Sequence, residues 1–144
     1  MEAGVVQCTP SQDNNPTCPP GGTDGVALVL VFNSAYTPGG FVRGWQGFTP
    51  CPGPSTYRTS VNVSTKSATA MFTLTLYVYA QAAGGFGTSR ALVSSRFVAG
   101  VGRQQITFDT FTTEQSSATV YLDVQSSQSD VRLWLDDFVI NRTR

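Results

Sequence analysis

The sequence predicts an all-β domain, a two-sheet antiparallel β-sandwich of jelly-roll type with little or no helix. Three observations carry that expectation. Apolar and polar residues alternate with a period of two over long segments. Clusters of Gly, Pro, Ser and Asn punctuate those segments at turn spacing. No segment sustains the 3.6-residue apolar period of an amphipathic helix. With 144 residues, 40% of them hydrophobic, the chain fills one core, and a second would be hard to fill.

Residues 1–25 read as a Pro/Gly/Asn-rich arm and residues 26–144 as the sandwich domain. The arm holds Asn15-Pro16, Pro19-Pro20-Gly21-Gly22 and Asp24-Gly25, with a short strand at Gly4–Gln7. The first strong strand is Val26–Phe32, a continuous apolar run expected near a sheet centre. A turn at Tyr36–Gly40 leads into Phe41–Phe48, which carries Trp45. Pro50, Pro52 and Pro54 lack ladder donors, so Thr49–Pro54 is no central strand. In Tyr57–Val63, residues Tyr57, Thr59, Val61 and Val63 share one face. In Ala68–Gln81, Phe72, Leu74, Leu76 and Val78 face the core, and Thr73, Thr75, Tyr77, Tyr79 and Gln81 face away. After a hairpin turn at Gly84–Gly87, strands are expected at Ala91–Val98 and Gln104–Thr112. Thr119–Gln125 turns Val120, Leu122 and Val124 inward and Thr119, Tyr121, Asp123 and Gln125 outward. The polar hairpin Ser126–Asp130 feeds a last strand, Val131–Asn141.

Charge narrows the function. Charged residues make up 12% of the chain, roughly half the usual share of about 25%. Nine acidic residues balance nine basic ones, of which Lys66 is the one lysine. No basic stripe with interleaved aromatics exists, so nucleic acid is not an expected partner. No apolar run is long enough for a membrane-spanning helix. A neutral surface rich in Ser, Thr and Gln suits a neutral polysaccharide or self-association.

The absence of histidine removes Ser–His–Asp and Cys–His catalysis and the commonest zinc ligand. A glycosidase needs two carboxyls about 5–9.5 Å apart, for which Asp123 and Asp136 are the cross-strand candidates. With two glutamates and seven aspartates available, an enzyme is not expected. Three cysteines are compatible with one disulfide. Cys8–Cys18 would close the loop Thr9–Thr17, and a bridge from either to Cys51 is the competitor. Asn62-Val63-Ser64 and Asn141-Arg142-Thr143 are sequons. The start, Met1-Glu2-Ala3-Gly4, lacks signal-peptide chemistry. It fits an initiator placed before a mature secreted chain, and a native cytosolic start reads the same.

The outward rows supply the candidate site. Sugars stack apolar C–H faces on aromatic rings while amides, carboxylates and guanidinium groups bond their hydroxyls. Tyr77, Tyr79 and Gln81 offer such groups on one strand. Tyr121 and Asp123, or Arg132, Trp134 and Asp136, extend the row wherever they share its sheet. Against this, Tyr and Thr are simply good strand formers on a wet face. An outward Trp134 is a large apolar area to leave wet, so it either binds, packs under a loop, or meets another subunit.

The C-terminal half has a familiar order: Gln104–Thr112, Ala118–Val124, then Arg132-Leu133-Trp134-Leu135-Asp136-Asp137-Phe138-Val139-Ile140. Over about residues 55–141 this resembles jelly-roll carbohydrate-binding modules of the family 4, 9 and 22 type, which end in an apolar–aromatic–apolar–Asp–Asp–apolar strand. The resemblance implies a non-catalytic module recognising a polysaccharide on a concave sheet, with the Ala68–Gln81 strand in that sheet. It also implies a structural calcium at the first Asp of the pair, here Asp136. The family's partner glutamate, in a Phe-Glu strand end, is replaced by Phe32-Asn33. The alternative is a structural subunit of an extracellular filament, coat or virion, joined through the arm, Gly4–Gln7, or the odd cysteine.

Overall fold

A computed structural model describes residues 2–8, 18–19, 25–81, 88–113 and 117–143. Ten strands form: β1 (Glu2–Cys8), β2 (Gly25–Phe32), β3 (Val42–Phe48), β4 (Ser55–Thr65), β5 (Met71–Gln81), β6 (Thr88–Ala99), β7 (Gly102–Thr107), β8 (Phe111–Thr113), β9 (Ser117–Ser126) and β10 (Val131–Arg142). There is no helix among the described residues. One sheet has six strands, ordered β1-β2-β10-β4-β7 with β8 also paired to β4. The other has four, ordered β3-β9-β5-β6. Every named pairing is antiparallel. The hairpin turn at Gly84–Gly87 and the loop Thr9–Thr17 lie outside the described residues.

The pleat decides what fills the space between the sheets. From β5 come Phe72, Leu74, Leu76 and Val78, and from β9 Ala118, Val120, Leu122 and Val124. They meet Leu30, Phe32, Tyr57, Val61, Val63, Leu133 and Leu135 of the six-stranded sheet. Over Leu133–Leu135, β10 is apolar on both faces. Leu133 and Leu135 point inward, while Trp134, paired with Val29 and Ser64, points to the outer face and is still only 2% exposed. Cys18 and Pro19, both buried, lie on that side, and Pro19 lines a small cavity shared with Ala27 and Trp134. The indole is packed under a loop, and the six-stranded sheet is sealed there on both faces.

The strand expected across Gln104–Thr112 is two strands. Ser60 pairs with Thr107 and Tyr57 with Phe111, so the later segment carries one residue more than β4 opposite it. Phe108 turns its ring into the core, 1% exposed, and its N–H donates to Thr59 O at 3.0 Å. Asp109 N–H donates instead to Ser94 Oγ at 3.0 Å. The ladder breaks because a large apolar residue would otherwise face the wrong way. A second irregularity, between Asp136 and Val139 of β10, places Asp137 at φ 50°, a conformation Asp tolerates better than most residues. A third lies between Leu76 and Tyr77.

Two buried hydroxyls behave oppositely. Tyr36 Oη lies 2.8 Å from Gly40 O and 3.0 Å from Ser126 O, and accepts from Ser126 N–H at 3.0 Å, tying the turn after β2 to the end of β9. Thr59 Oγ1 is fully buried and makes no hydrogen bond among the described residues. Urea unfolding should therefore show Tyr36→Phe losing about 1–3 kcal/mol, because Ser126 is left unsatisfied. Thr59→Val should be neutral or gain up to about 1 kcal/mol, because a hydroxyl without a partner is removed at constant shape.

Candidate functional site

The outer face of the four-stranded sheet is built by strand register. Trp45 of β3 pairs with Tyr121 of β9, Tyr121 with Tyr77 of β5, and Tyr77 with Leu92 of β6. Four side chains thus form one line across the strands, at about 4.8 Å per step. On one side runs the row Arg43, Asp123, Thr75 and Ser95. On the other runs Gly47, Thr119 and Tyr79. Trp45 is 72% exposed and Leu92 61%, whereas Tyr77, Tyr79 and Tyr121 are half-buried. Tyr79 and Tyr121 meet edge to face, with centroids 4.9 Å apart. Phe97, opposite Thr73, and Phe41 continue the apolar surface at one end. Gly47 leaves a notch in the outward row after Trp45, where a Cβ would meet only Thr119 Oγ1 among the described residues, at 3.8 Å.

One ion pair holds the centre of this face. Arg43 Nε donates to Asp123 Oδ1 at 2.7 Å and Nη2 to Oδ2 at 2.9 Å, the bidentate fork that Arg and carboxylate geometry favour. The guanidinium carbon sits 5.2 Å from the Phe41 ring centre and 5.5 Å from that of Tyr121. The hydrogen bond to Asp123 is the largest influence on Arg43 and raises its pKa above the ordinary arginine value; burial opposes it, and the Asp123 charge adds to it. Both carboxylate oxygens are engaged, and Arg43 Nη1 makes no hydrogen bond among the described residues.

The fold brings together four of the residues singled out from sequence: Tyr77, Tyr79, Tyr121 and Asp123. Gln81 lies on β5 in the same outward row, opposite Ser117, its side chain outside the described residues. Arg132, Trp134 and Asp136 stand apart, on the outer face of the six-stranded sheet. Asp123 and Asp136 therefore occupy opposite faces of the sandwich, where no single sugar linkage can lie between them. Trp45, Arg43 and Phe41 were not expected at the site. In Val42–Phe48 both alternating sets mix polar and apolar residues, so the pattern leaves the outward set unassigned until β3 is paired with β9.

In a scan against family models none matched, and no curated protein matched. Solved structures did. The chain superposes with TM-score 0.59 and 11% identity on a family 61 carbohydrate-binding module in complex with β-1,4-galactotriose, covering 97% of this chain and 81% of that one. It superposes with TM-score 0.54 and 16% identity on the xylan-binding CBM22-1 domain from Paenibacillus barcinonensis, covering 98% and 83%. A Clostridium thermocellum endo-1,4-β-D-xylanase 10B, its CBM22-1 and GH10 modules complexed with xylohexaose, gives TM-score 0.57 at 12% identity. All but 1% of this chain aligns there, yet it spans only 25% of that longer chain.

The fold is the β-sandwich of carbohydrate-binding modules.

Within that sandwich, the residues around Asp136 do not make a calcium shell. Asp136 Oδ1 accepts from Asp137 N–H at 2.8 Å, and Asp136 Oδ2 lies 4.0 Å from Arg103. Asp137 Oδ2 accepts from Asn62 Nδ2 at 2.9 Å and from Arg103 Nη2 at 3.1 Å. Calcium takes 6–8 oxygens, but here a guanidinium sits against the acids, and no group of three or more His, Cys, Asp or Glu residues that could hold a metal exists among the described residues. Of the sequons, Asn62 is half-buried with its amide engaged, and Asn141 is exposed at the end of β10. Cys51 is a half-buried free thiol.

The carbohydrate-binding-module sandwich holds its aromatic face through the Arg43–Asp123 fork, which yields a prediction. Arg43→Lys keeps the charge but loses the planar double bond. It should lower the urea midpoint and sharpen the chemical-shift averaging of the Tyr121 ring, whereas a Lys66→Ala control should leave both unchanged. Raising the salt should shrink the Arg43→Lys deficit little, since the pair is direct and partly shielded.

Proposed function

We propose that the chain is a non-catalytic carbohydrate-binding module that seats a neutral glycan across the outer face of the four-stranded sheet. The observation that carries this reading is the line Trp45, Tyr121, Tyr77, with a tryptophan 72% exposed at its end. A large aromatic left in water costs stability unless something covers it. The rings take the apolar faces of successive sugar units. Arg43 Nη1, Thr75, Thr119 and Tyr79 supply bonds to the hydroxyls, with Asp123 acting through Arg43. The solved modules of this fold named above were captured with xylohexaose and β-1,4-galactotriose, which supports a polysaccharide of that extended, neutral kind. Trp134 and Arg132 have no part in this face.

An extracellular setting accords with this reading. Cys18 is buried and Cys51 is a free thiol, which supports a Cys8–Cys18 bridge and argues against a bridge to Cys51. Peptide mapping of unreduced protein should find Cys8 linked to Cys18 and Cys51 alone alkylated. Assembly through the arm is less favoured, because β1 is already paired along Glu2–Cys8 with β2 of the same chain.

Affinity electrophoresis on xylan and β-1,4-galactan tests the face. Trp45→Ala and Tyr77→Ala should each weaken retention by about tenfold or more, as central aromatic anchors do, without shifting the thermal midpoint. Retention that survives the double variant would place the ligand elsewhere.

A further inference from the structure

A slot of about 340 Å³ opens between the two sheets, at the edge where β3 lies over β2 and β10. Strand register explains why the core is incomplete there. Val42, Gly44, Gln46 and Phe48 of β3 pair with Val124, Leu122, Val120 and Ala118 of β9, so they form the inward set. Val42 and Phe48 pack against the core, but the middle pair, Gly44 and Gln46, is exposed. A Cβ on Gly44 would meet nothing within 4 Å. The middle of β3 thus faces inward without an apolar side chain to fill the space.

The opposite wall is apolar. Leu28 of β2 pairs with Leu135 of β10, in register with the inward pair Leu30 and Leu133. Leu28 is nonetheless 40% exposed, while Val61, Leu122 and Leu135 of the same slot are buried. The irregularity in β10 adds an aromatic ring. From Asp136 to Val139, β10 advances one residue more than β4 does from Ser60 to Asn62, and the alternation resets. Leu135 and Phe138 therefore both turn toward the core and line the slot. Apolar surface is left open to water on every wall, which is the condition an apolar ligand relieves.

Shape, charge and hydrogen bonding each limit that ligand. Sheets packed face to face lie about 10 Å apart, so loss of one layer of side chains leaves a slit suited to a flat ring. Val42 and Phe48, packed on the core at either end, bound its length along β3 and disfavour an extended acyl chain. An apolar cavity of about 150 Å³ already holds benzene, so this slot admits one ring with small substituents. The charged residues that line it are Asp136 and Asp137. Arg103, whose Nη2 lies 3.1 Å from Asp137 Oδ2, is not part of the lining, so an anionic ligand would meet like charge without a cation. Gln46 Nε2 donates to Gly47 O at 2.9 Å, and Gln46 Oε1 accepts no hydrogen bond among the described residues. We propose that the slot is a binding site for an uncharged phenolic ring, its face between Gly44 and Leu135 and its hydroxyl donating to Gln46 Oε1. The site stands apart from the glycan reading: of the aromatic line it includes Trp45, but neither Tyr121 nor Tyr77.

The test is a methyl chemical-shift titration of the whole chain with para-cresol, against toluene, para-hydroxybenzoate and hexanol. Para-cresol should give saturable shifts at the methyl groups of Leu28, Val61, Leu122 and Leu135. The anion para-hydroxybenzoate and the flexible hexanol should each bind about tenfold more weakly or worse. Gly44→Leu fills the slot, so it should abolish these shifts without lowering the thermal midpoint. Gln46→Met should weaken para-cresol by about fivefold, the scale of one neutral hydrogen bond, and leave toluene unchanged. Absence of saturable shifts at these methyls, up to the solubility of para-cresol, overturns the proposal. Equal binding of para-hydroxybenzoate or hexanol does the same, as does undiminished binding by folded Gly44→Leu. A Gln46→Met chain that holds para-cresol as tightly as before overturns it too.

Discussion

The pleat of β5 constrains most of what this molecule presents to its surroundings. Phe72, Leu74, Leu76 and Val78 must be buried against the six-stranded sheet, and a two-residue period then forces Thr73, Thr75, Tyr77 and Tyr79 to the opposite side. Because β9 and β3 are added in register, the same rule propagates sideways. Tyr121 and Trp45 are turned outward by the burial of Leu122, Val120 and Val124 beside them. The aromatic line is thus the other side of the core. A one-residue slip of β5 would place tyrosines in the core and leucines in water.

The two sheets treat their outer faces differently. The six-stranded sheet is covered where Trp134 lies, with Cys18 and Pro19 buried on that side. The four-stranded sheet keeps Trp45, Leu92 and Phe97 largely exposed. An apolar patch exposed on a sheet face is tolerable when polar groups interrupt it, as Thr75, Ser95 and the Arg43–Asp123 pair do here. That ion pair also spares the face a net charge, which favours neutral ligands there.

Glycines and irregularities aim side chains as much as they bend strands. The shift between Leu76 and Tyr77 makes Leu92 the partner of Tyr77 and so completes the exposed line. The interruption at Phe108–Thr110 brings Asp109 to Arg96, whose Nη2 donates to it at 2.6 Å. In β10, the irregularity after Asp136 carries Asp137 toward Asn62 and Arg103. The Asp-Asp pair, read alone, resembles a metal site; folded, it is a partner for a guanidinium.

Local pattern was enough to determine the fold class, the strands from β4 to β6, β9 and β10, and the outward set on β5 and β9, because a strand half-buried in a sandwich writes its burial into every second residue. It was enough also to mark Tyr77, Tyr79, Tyr121 and Asp123. It could not say which strands share a sheet, since pairing is a contact between residues distant in the chain. Only the tertiary structure placed β10 in the other sheet, taking Trp134, Arg132 and Asp136 away from the tyrosines. Only it added Trp45 and Arg43, whose strand alternates without a clear apolar side. The indole of Trp134 and that of Trp45 are chemically identical; the burial of one and the exposure of the other follow from which neighbour each strand found.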